Sequence, residues 1–518
     1  MSKALPKDRP HLTIYRMLMI SLIGLVVGTI SSFATIGFIE LVGGLNRLLY
    51  ISSESRAGMP SGTLAFITIT VLTLGGLIVG LIVHFGVKAR RPLGVPEVIH
   101  AVQLRENPPD PVSGCFSTLA AIVSLGCGAS VGQYGPLVYL GSLVGQLASR
   151  LQLGVRDIGN LAIACGVAAA ISTAFNAPIA GLIFTHEVIL RHYSLRIFTA
   201  VTIATVSGFV VTNLIFQRPP LFLIEIERVF YAPEFFLFAL EGLASGVLAV
   251  VFMKLLWAAE RFSSRLQLPA PSKPMLAGFL LSLVALQIPE VLGAGQEVMR
   301  IASIPGAHGA LELSSILIAK ILVTALCIGF GFAGGVIFPS LLIGILFGAL
   351  FAITVPEFLL DYYSDLSIYA ISGMVAIASP VIGAPLTGLL IVFELTRNYE
   401  ATIAAMVTIV FANIVAYHWY GGSLFDAQLA ERGLDLSLGR DRAYLKHHPA
   451  VEFADHNFPC ADSLSTCGEL ADRLKAEPRH SAIVIDSDNR YLGLVHLDQL
   501  VENPGDTILA TLEFPSGL

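Results

Sequence analysis

Long apolar runs broken by glycine and proline dominate the first 420 or so residues of the chain. One run lies within Leu12–Leu45 and a second spans Leu64–Phe85. Each is long enough to cross a bilayer as a helix. Many later apolar segments are too short or too interrupted for a simple span of about 20 residues. Between Leu119–Leu125 and Leu137–Leu147 stands Gly132-Gln133-Tyr134-Gly135-Pro136, which reads as a break that opens a new helix inside the membrane. A helix start presents unpaired N–H groups and the positive end of the dipole, a natural anion site. Tyr134 is the odd member, a bulky phenol at the helix start. Beyond the apolar runs the pattern changes, and Asp, Glu, Arg and His become frequent. There Ser463–Glu477 has helical spacing. Ser481–Ile485 and Tyr491–Val495 read as strands around the turn Asp486–Asn489, and Leu497–Val501 as a final helix.

Composition sharpens the class. Of 518 residues, 55% are hydrophobic and 13% charged, against roughly 25% charged in soluble domains. The expected fold class is an all-α polytopic membrane protein with a small α/β tail. No cleavable signal peptide is expected, because the apolar run after the polar, basic Met1–Pro10 is too long for one. Lys3, Lys7, Arg9 and Arg16 precede or open the first run, and Lys88, Arg90 and Arg91 follow the second. The positive-inside rule places both clusters on the cytoplasmic side, two crossings apart. The six cysteines include no Cys-x-x-Cys pair. They therefore indicate neither zinc nor redox chemistry and read as small buried hydrophobes. His186 and His192 flank Glu187 at a spacing that does not put both on one helical face. No nucleophile–base pair or metal cluster stands out, so no enzyme activity, metal or cofactor is expected.

The chain also resembles itself. Pro136, Gly141 and Gly145 share their spacing with Pro339, Gly344 and Gly348. Gly166, Pro178, Gly181 and Glu187 match Gly373, Pro385, Gly388 and Glu394 at one constant offset. Two matched blocks in the same order indicate an internal duplication. Transporters often consist of two such halves, whose broken helices meet near the midplane around a binding site. The expected organisation is an N-terminus at 1–11, a first membrane repeat at 12–216, a second at 217–430 and a cytoplasmic tail at 431–518.

Four segments carry a resemblance to the CLC family of chloride channels and chloride/proton exchangers, over about residues 12–430. Gly94-Val95-Pro96-Glu97 resembles the end of the family's Gly-Ser-Gly-Ile-Pro-Glu. Gly132–Pro136 resembles Gly-Arg/Lys-Glu-Gly-Pro, and Gly335-Val336-Ile337-Phe338-Pro339 resembles Gly-x-Phe-x-Pro. Asn176-Ala177-Pro178 through Glu187 resembles the segment ending at the inner side of the proton route. The resemblance implies an inverted repeat of broken, tilted helices and a homodimer in the bilayer with one anion pore per subunit. It implies no nucleic-acid partner, and chloride as the transported ion. It assigns anion coordination to the backbone amides of Gln133, Tyr134 and Gly135, and of Val336, Ile337 and Phe338. It implies a bacterial inner membrane with both termini cytoplasmic. The tail resembles one CBS module, and a single copy makes nucleotide binding there an unlooked-for property.

The departures from the family are sharper. Its pore-blocking glutamate aligns with Tyr134, whose phenol has an ordinary pKa of roughly 10 and is neutral near pH 7. The exchangers' inner glutamate aligns with Val188. The serine that offers a hydroxyl to the central anion aligns with Leu93, after Pro92, which has no N–H. The central tyrosine aligns with Phe425. A weaker, dewetted central site is expected. Tyr134 either swings into the pore as a plug or gate, or packs sideways against apolar neighbours. Glu187, with its repeat mate Glu394, reads as a vestibule acid or an interfacial bond to a helix end, beside the plainer reading of a snorkelling or paired acid near the cytosol. The expected function is a passive, proton-uncoupled anion channel. The alternatives are an exchanger using other protonatable groups, such as Glu187 or His186, and an occluded sensor or scaffold.

Overall fold

The computed structural model describes residues 10–56, 59–104, 110–150, 158–218, 234–304, 306–355, 364–436, 457–476, 480–488 and 490–512. Lys3, Lys7, Arg9, Glu477 and Asn489 lie outside the described residues. The chain divides into two compact units, Met1–Ala443 and Tyr444–Leu518.

The first unit is helical. Its first half contains α1 (Pro10–Leu48), α2 (Ser53–Arg56), α3 (Ser61–Gly86), α4 (Val95–Leu104), α5 (Pro111–Gly126), α6 (Tyr134–Ser149), α7 (Ile158–Phe175), α8 (Pro178–Phe184) and α9 (Leu195–Val210). Its second half contains α10 (Glu234–Arg265), α11 (Ser272–Ala285), α12 (Gln296–Ala302), α13 (Ala310–Gly329), α14 (Ile337–Thr354), α15 (Leu366–Ile382), α16 (Pro385–Thr396), α17 (Tyr399–Tyr420) and α18 (Leu424–Glu431). Among the described residues, seven helices are long and apolar enough to cross a membrane. Short helices such as α6, α8 and α16 are the products of the breaks read from sequence.

The duplicated glycines are a packing seam. A Cβ on Gly141 would stand 2.4 Å from the carbonyl oxygen of Gly166, and one on Gly344 would stand 2.4 Å from that of Gly373. Gly145 abuts Ala162, and Gly348 abuts Tyr369, in the same manner. In lipid, helices associate through such close backbone approach, because the apolar effect no longer favours one apolar surface over another. Thus α6 lies on α7 as α14 lies on α15.

The repeat extends to the breaks. The turns that precede α6 and α14 each contain a glycine at positive φ, Gly128 at 91° and Gly331 at 96°. Asn176 (56°) and Gly383 (77°) occupy the left-handed region just before the Ala-Pro starts of α8 and α16. Asn tolerates that region better than most side chains, and Gly tolerates it freely. Proline in the first turn of each new helix uses an N–H-free position.

Glu187 and Glu394 tie the two halves together. Glu394 accepts from the amides of Ile179 (2.9 Å) and Ala180 (2.7 Å), at the start of α8. Glu187 accepts from the amides of Leu386 (2.9 Å) and Thr387 (2.8 Å), and from the Thr387 hydroxyl (2.6 Å), at the start of α16. Each repeat's acid therefore caps the other repeat's helix. Of the roles read from sequence, these residues take that of an interfacial bond to a helix end, a place where a carboxylate complements the dipole.

The second unit holds a three-stranded sheet in the order β1-β2-β3. Cys460–Asp462 (β1) pairs parallel with Ser481–Ile485 (β2), and β2 pairs antiparallel with Tyr491–His496 (β3). Helices α19 (Cys467–Ala476) and α20 (Leu497–Glu502) accompany it. The strand β1 is too short to show a period in sequence. Cysteine behaviour is corrected in part: all six are unpaired, but Cys115 and Cys460 are exposed while the other four are buried.

Candidate anion-binding site

The two broken segments meet. Gly132 donates to the Gly335 carbonyl at 2.8 Å, and Gly335 donates back to the Gly132 carbonyl at 2.7 Å. This two-way bridge joins equivalent points of the two repeats. Only glycine fits there: a Cβ on Gly132 would lie 2.7 Å from the Gly335 oxygen, and one on Gly335 would lie 2.8 Å from the Gly135 nitrogen. Immediately beyond the bridge α6 and α14 begin, so two positive helix ends are held together at the centre of the bundle.

The helix starts are uncapped. Gln133 and Val336 occupy the N-cap positions with helical backbone angles and make no side-chain cap bond. Among the described residues no acceptor meets the amides of Gln133, Tyr134, Gly135, Val336, Ile337 or Phe338. Pro136 and Pro339 have no N–H, which ends each set at three. All six residues are buried or nearly so. Buried N–H groups without partners are rare in folded proteins. An anion is the chemical species that satisfies several such donors without placing a full positive side chain in the membrane.

Tyr134 is packed. It is 0% exposed, and its ring stacks on Phe175 with centroids 3.8 Å apart and planes 20° apart. Phe338 flanks it at 5.5 Å. Its hydroxyl has no well-formed hydrogen bond, and Gln133 is the neighbouring polar side chain. Phe175 ends α7, directly before the Asn176 break, so two of the breaks are joined through one aromatic stack. Beside it lies an apolar cavity of about 20 Å³, lined in part by Phe175, Ile337, Leu341, Ser379 and Ile391.

Leu93 and Phe425 are 6% and 3% exposed. The Leu93 amide donates to Ser117 Oγ at 2.8 Å, which commits that N–H within the protein. Phe425 lies on α18, whose start is fixed by the Ser423–Asp426 capping box. Arg191 binds Asp426 at 2.6 Å, and Arg432, just past α18, binds Glu97 at 2.8 Å. These ion pairs clamp α18 against the element that follows α8 and against α4. Val188 is buried. His186 is fully buried, with Nδ1 on the His192 carbonyl at 3.0 Å and its ring over Tyr193. Among the described residues no group of three metal-ligating side chains occurs.

Residues 75–417 match the voltage gated chloride channel family. The chain belongs to the CLC family. A ClcB-like chloride channel protein of Ralstonia nicotianae is 26% identical over 80% of this chain and 96% of its own length. An H+/Cl− exchange transporter ClcA of Yersinia pseudotuberculosis is 29% identical over 84% of this chain and 92% of its own. The crystal structure of a slow cyanobacterial Cl−/H+ antiporter has the same fold, with TM-score 0.73 and 22% identity over 80% of this chain and 97% of the other.

Reading the CLC motifs alone misses several groups that the fold buries inside the bundle. Lys320 on α13 is 0% exposed and donates to the carbonyls of Val291 and Gly293, both at 2.9 Å. Glu241 on α10 is equally buried and accepts from Ser372 Oγ at 2.8 Å. Each is a lone charge-bearing residue in an apolar run, and that pattern is itself a signal of a functional or tightly partnered position. Phe175, the partner of Tyr134, carries no such signal.

Proposed function

We propose that the protein conducts chloride passively, along a path that passes the paired starts of α6 and α14, with no fixed coupling to protons. The observation that carries this reading is the pair of uncapped helix starts joined at Gly132 and Gly335. Among the described residues, six backbone amides there have no acceptor. Tyr134 stands where the family resemblance puts the gate carboxylate. A phenol, with an ordinary pKa of roughly 10, is neutral near pH 7, and aromatic packing holds Tyr134 against Phe175. Val188 stands at the inner proton position. The acid beside it, Glu187, has both oxygens engaged at the start of α16. By the positive-inside rule the end of α1 and the start of α3 face outward. A homodimer with one path per copy, an inner-membrane location and a CBS-like tail belong to the same reading.

A second reading is favoured by one finding, the names of relatives such as the Yersinia exchange transporter. In that reading other groups carry protons in exchange for chloride. Full-length protein in vesicles with a chloride gradient separates the two. Passive chloride flux without proton movement is the expected result. Proton uptake driven by the chloride gradient at a constant ratio would overturn it.

A further inference from the structure

A cavity of about 440 Å³ opens at the end of the bundle that holds the α1–α3 connection, and Gln133 lines it. It therefore leads to the first of the unpaired amides. Its charged lining includes Arg56 from α2, with Glu290 and Glu297 from the segment around α12. Two acids at such a mouth repel an anion, so the position of the cation decides whether the mouth admits one.

Arg56 lines this cavity and Lys320 is buried close to Gly295 of its wall, and the two cations are committed differently. Lys320 lies beneath the floor, and two of its three donors are taken by Val291 and Gly293. Gly293 and Gly295 form part of that floor, and Gly293 also donates to the Gly128 carbonyl at 2.8 Å. Lys320 thus holds the floor to α13, and the Gly293 amide holds it to the turn that precedes α6. The Arg56 guanidinium makes no hydrogen bond or ion pair among the described residues, and its Nη1 is shut from solvent without an acceptor. His308, a third basic group on the cavity wall, is engaged with Glu312 at 2.9 Å. A guanidinium offers five donors in a rigid plane and stays charged at any working pH.

We propose that Arg56 is a further anion-binding residue, which holds a hydrated halide in the outer cavity beside the Gln133 side chain before it passes to the amides of α6. The inference rests on the conduction path and orientation proposed above. The anion completes the guanidinium's coordination, and the guanidinium, which already faces Glu290, offsets that carboxylate's repulsion of the anion. It stays hydrated, because the cavity is wide enough for several waters.

The test uses full-length protein in vesicles, with chloride flux measured against external chloride at constant ionic strength set by glutamate. Arg56→Gln is expected to raise the half-saturating chloride concentration roughly three- to tenfold, the size of one unit charge acting across a few ångströms of water. Maximal flux should be retained, and Arg56→Lys should stay within about twofold of the native value. An unchanged half-saturating concentration in Arg56→Gln would overturn the proposal. So would a loss of maximal flux without a concentration shift. Arg56→Cys supplies a second readout, with native protein as the control for its own exposed cysteines. A cationic methanethiosulfonate should restore native concentration dependence and an anionic one should worsen it; equal effects refute the assignment. If native protein carries no chloride flux, the conduction reading fails by itself. Arg56 is then judged by calorimetric bromide binding to the purified chain. Weaker binding in Arg56→Gln sustains the residue's role, and equal binding removes it.

Discussion

Replacing Glu187 by Gln tests two ideas at once. The carboxylate receives three hydrogen bonds at the start of α16, at 2.6–2.9 Å. Hydrogen bonds to a charged group contribute about 1.5–3 kcal/mol each, against about 1 for neutral pairs. A charge at a helix start adds about 0.3–1 kcal/mol. Glutamine keeps one acceptor oxygen, so it retains part of the cap and loses the charge. Because Glu187 is only half-buried, the lower end applies, and Glu187→Gln should destabilise the protein by about 2 kcal/mol. Glu187→Ala leaves both amides and the Thr387 hydroxyl without their acceptor, and should cost about 3–4 kcal/mol. Glu394→Gln keeps an acceptor for one of its two amide bonds and loses the charge, and should behave similarly. The two caps support one contact between α8 and α16, so the double variant should fall short of the sum of the singles. Thermal or denaturant unfolding of the detergent-solubilised protein reads stability, and the vesicle assay reads coupling. Lower stability with chloride flux still uncoupled from protons supports the cap. Unaltered stability together with a loss of proton-coupled transport would refute it and make Glu187 a proton carrier.

Tyr134→Phe should leave stability and flux within about 0.5 kcal/mol and twofold of native, because the hydroxyl makes no well-formed bond and the stack on Phe175 persists. Tyr134→Ala removes the stack and a buried ring, costing about 3–5 kcal/mol, and should raise chloride flux if the ring narrows the path; unaltered flux would show that it does not. Gly348→Ala places a methyl group 2.1 Å from the Tyr369 oxygen, so α14 and α15 must separate and unfolding should occur about 1–3 kcal/mol earlier. Lys320→Met keeps the stem but strands the Val291 and Gly293 carbonyls. It should reduce stability by about 1–3 kcal/mol and increase proteolysis of the 289–295 segment. Unaltered proteolysis would show that the lysine does not hold that floor.

Much of the arrangement was legible in the chain. Apolar run lengths predict the long helices, and Gly-Pro, Phe-Pro and Ala-Pro pairs mark the breaks at 132–136, 176–178, 335–339 and 383–385. These signals are local: a proline cannot continue a helix, and a glycine supplies the positive φ of a turn. The duplicated glycine spacing indicated a repeat, but its meaning as a seam of helix contact needed the opposing carbonyls of Gly166 and Gly373. The unpaired amides of Gln133–Gly135 and Val336–Phe338 also follow from local geometry, since every helix start leaves its first N–H groups open.

What sequence by itself determined is therefore the membrane class, the helix breaks, the repeat and the backbone character of the candidate anion site. These depend on periodicity and on the backbone restrictions of Gly and Pro. Tertiary structure alone decided which breaks meet, through the Gly132–Gly335 bridge and the exchanged caps of Glu187 and Glu394. It also decided where Tyr134 turns, and it set Lys320 and Arg56 around the outer cavity in different states of commitment. Those outcomes depend on contacts between residues far apart in the chain. A side chain's partner, unlike its propensity, is a property of whatever the fold places beside it.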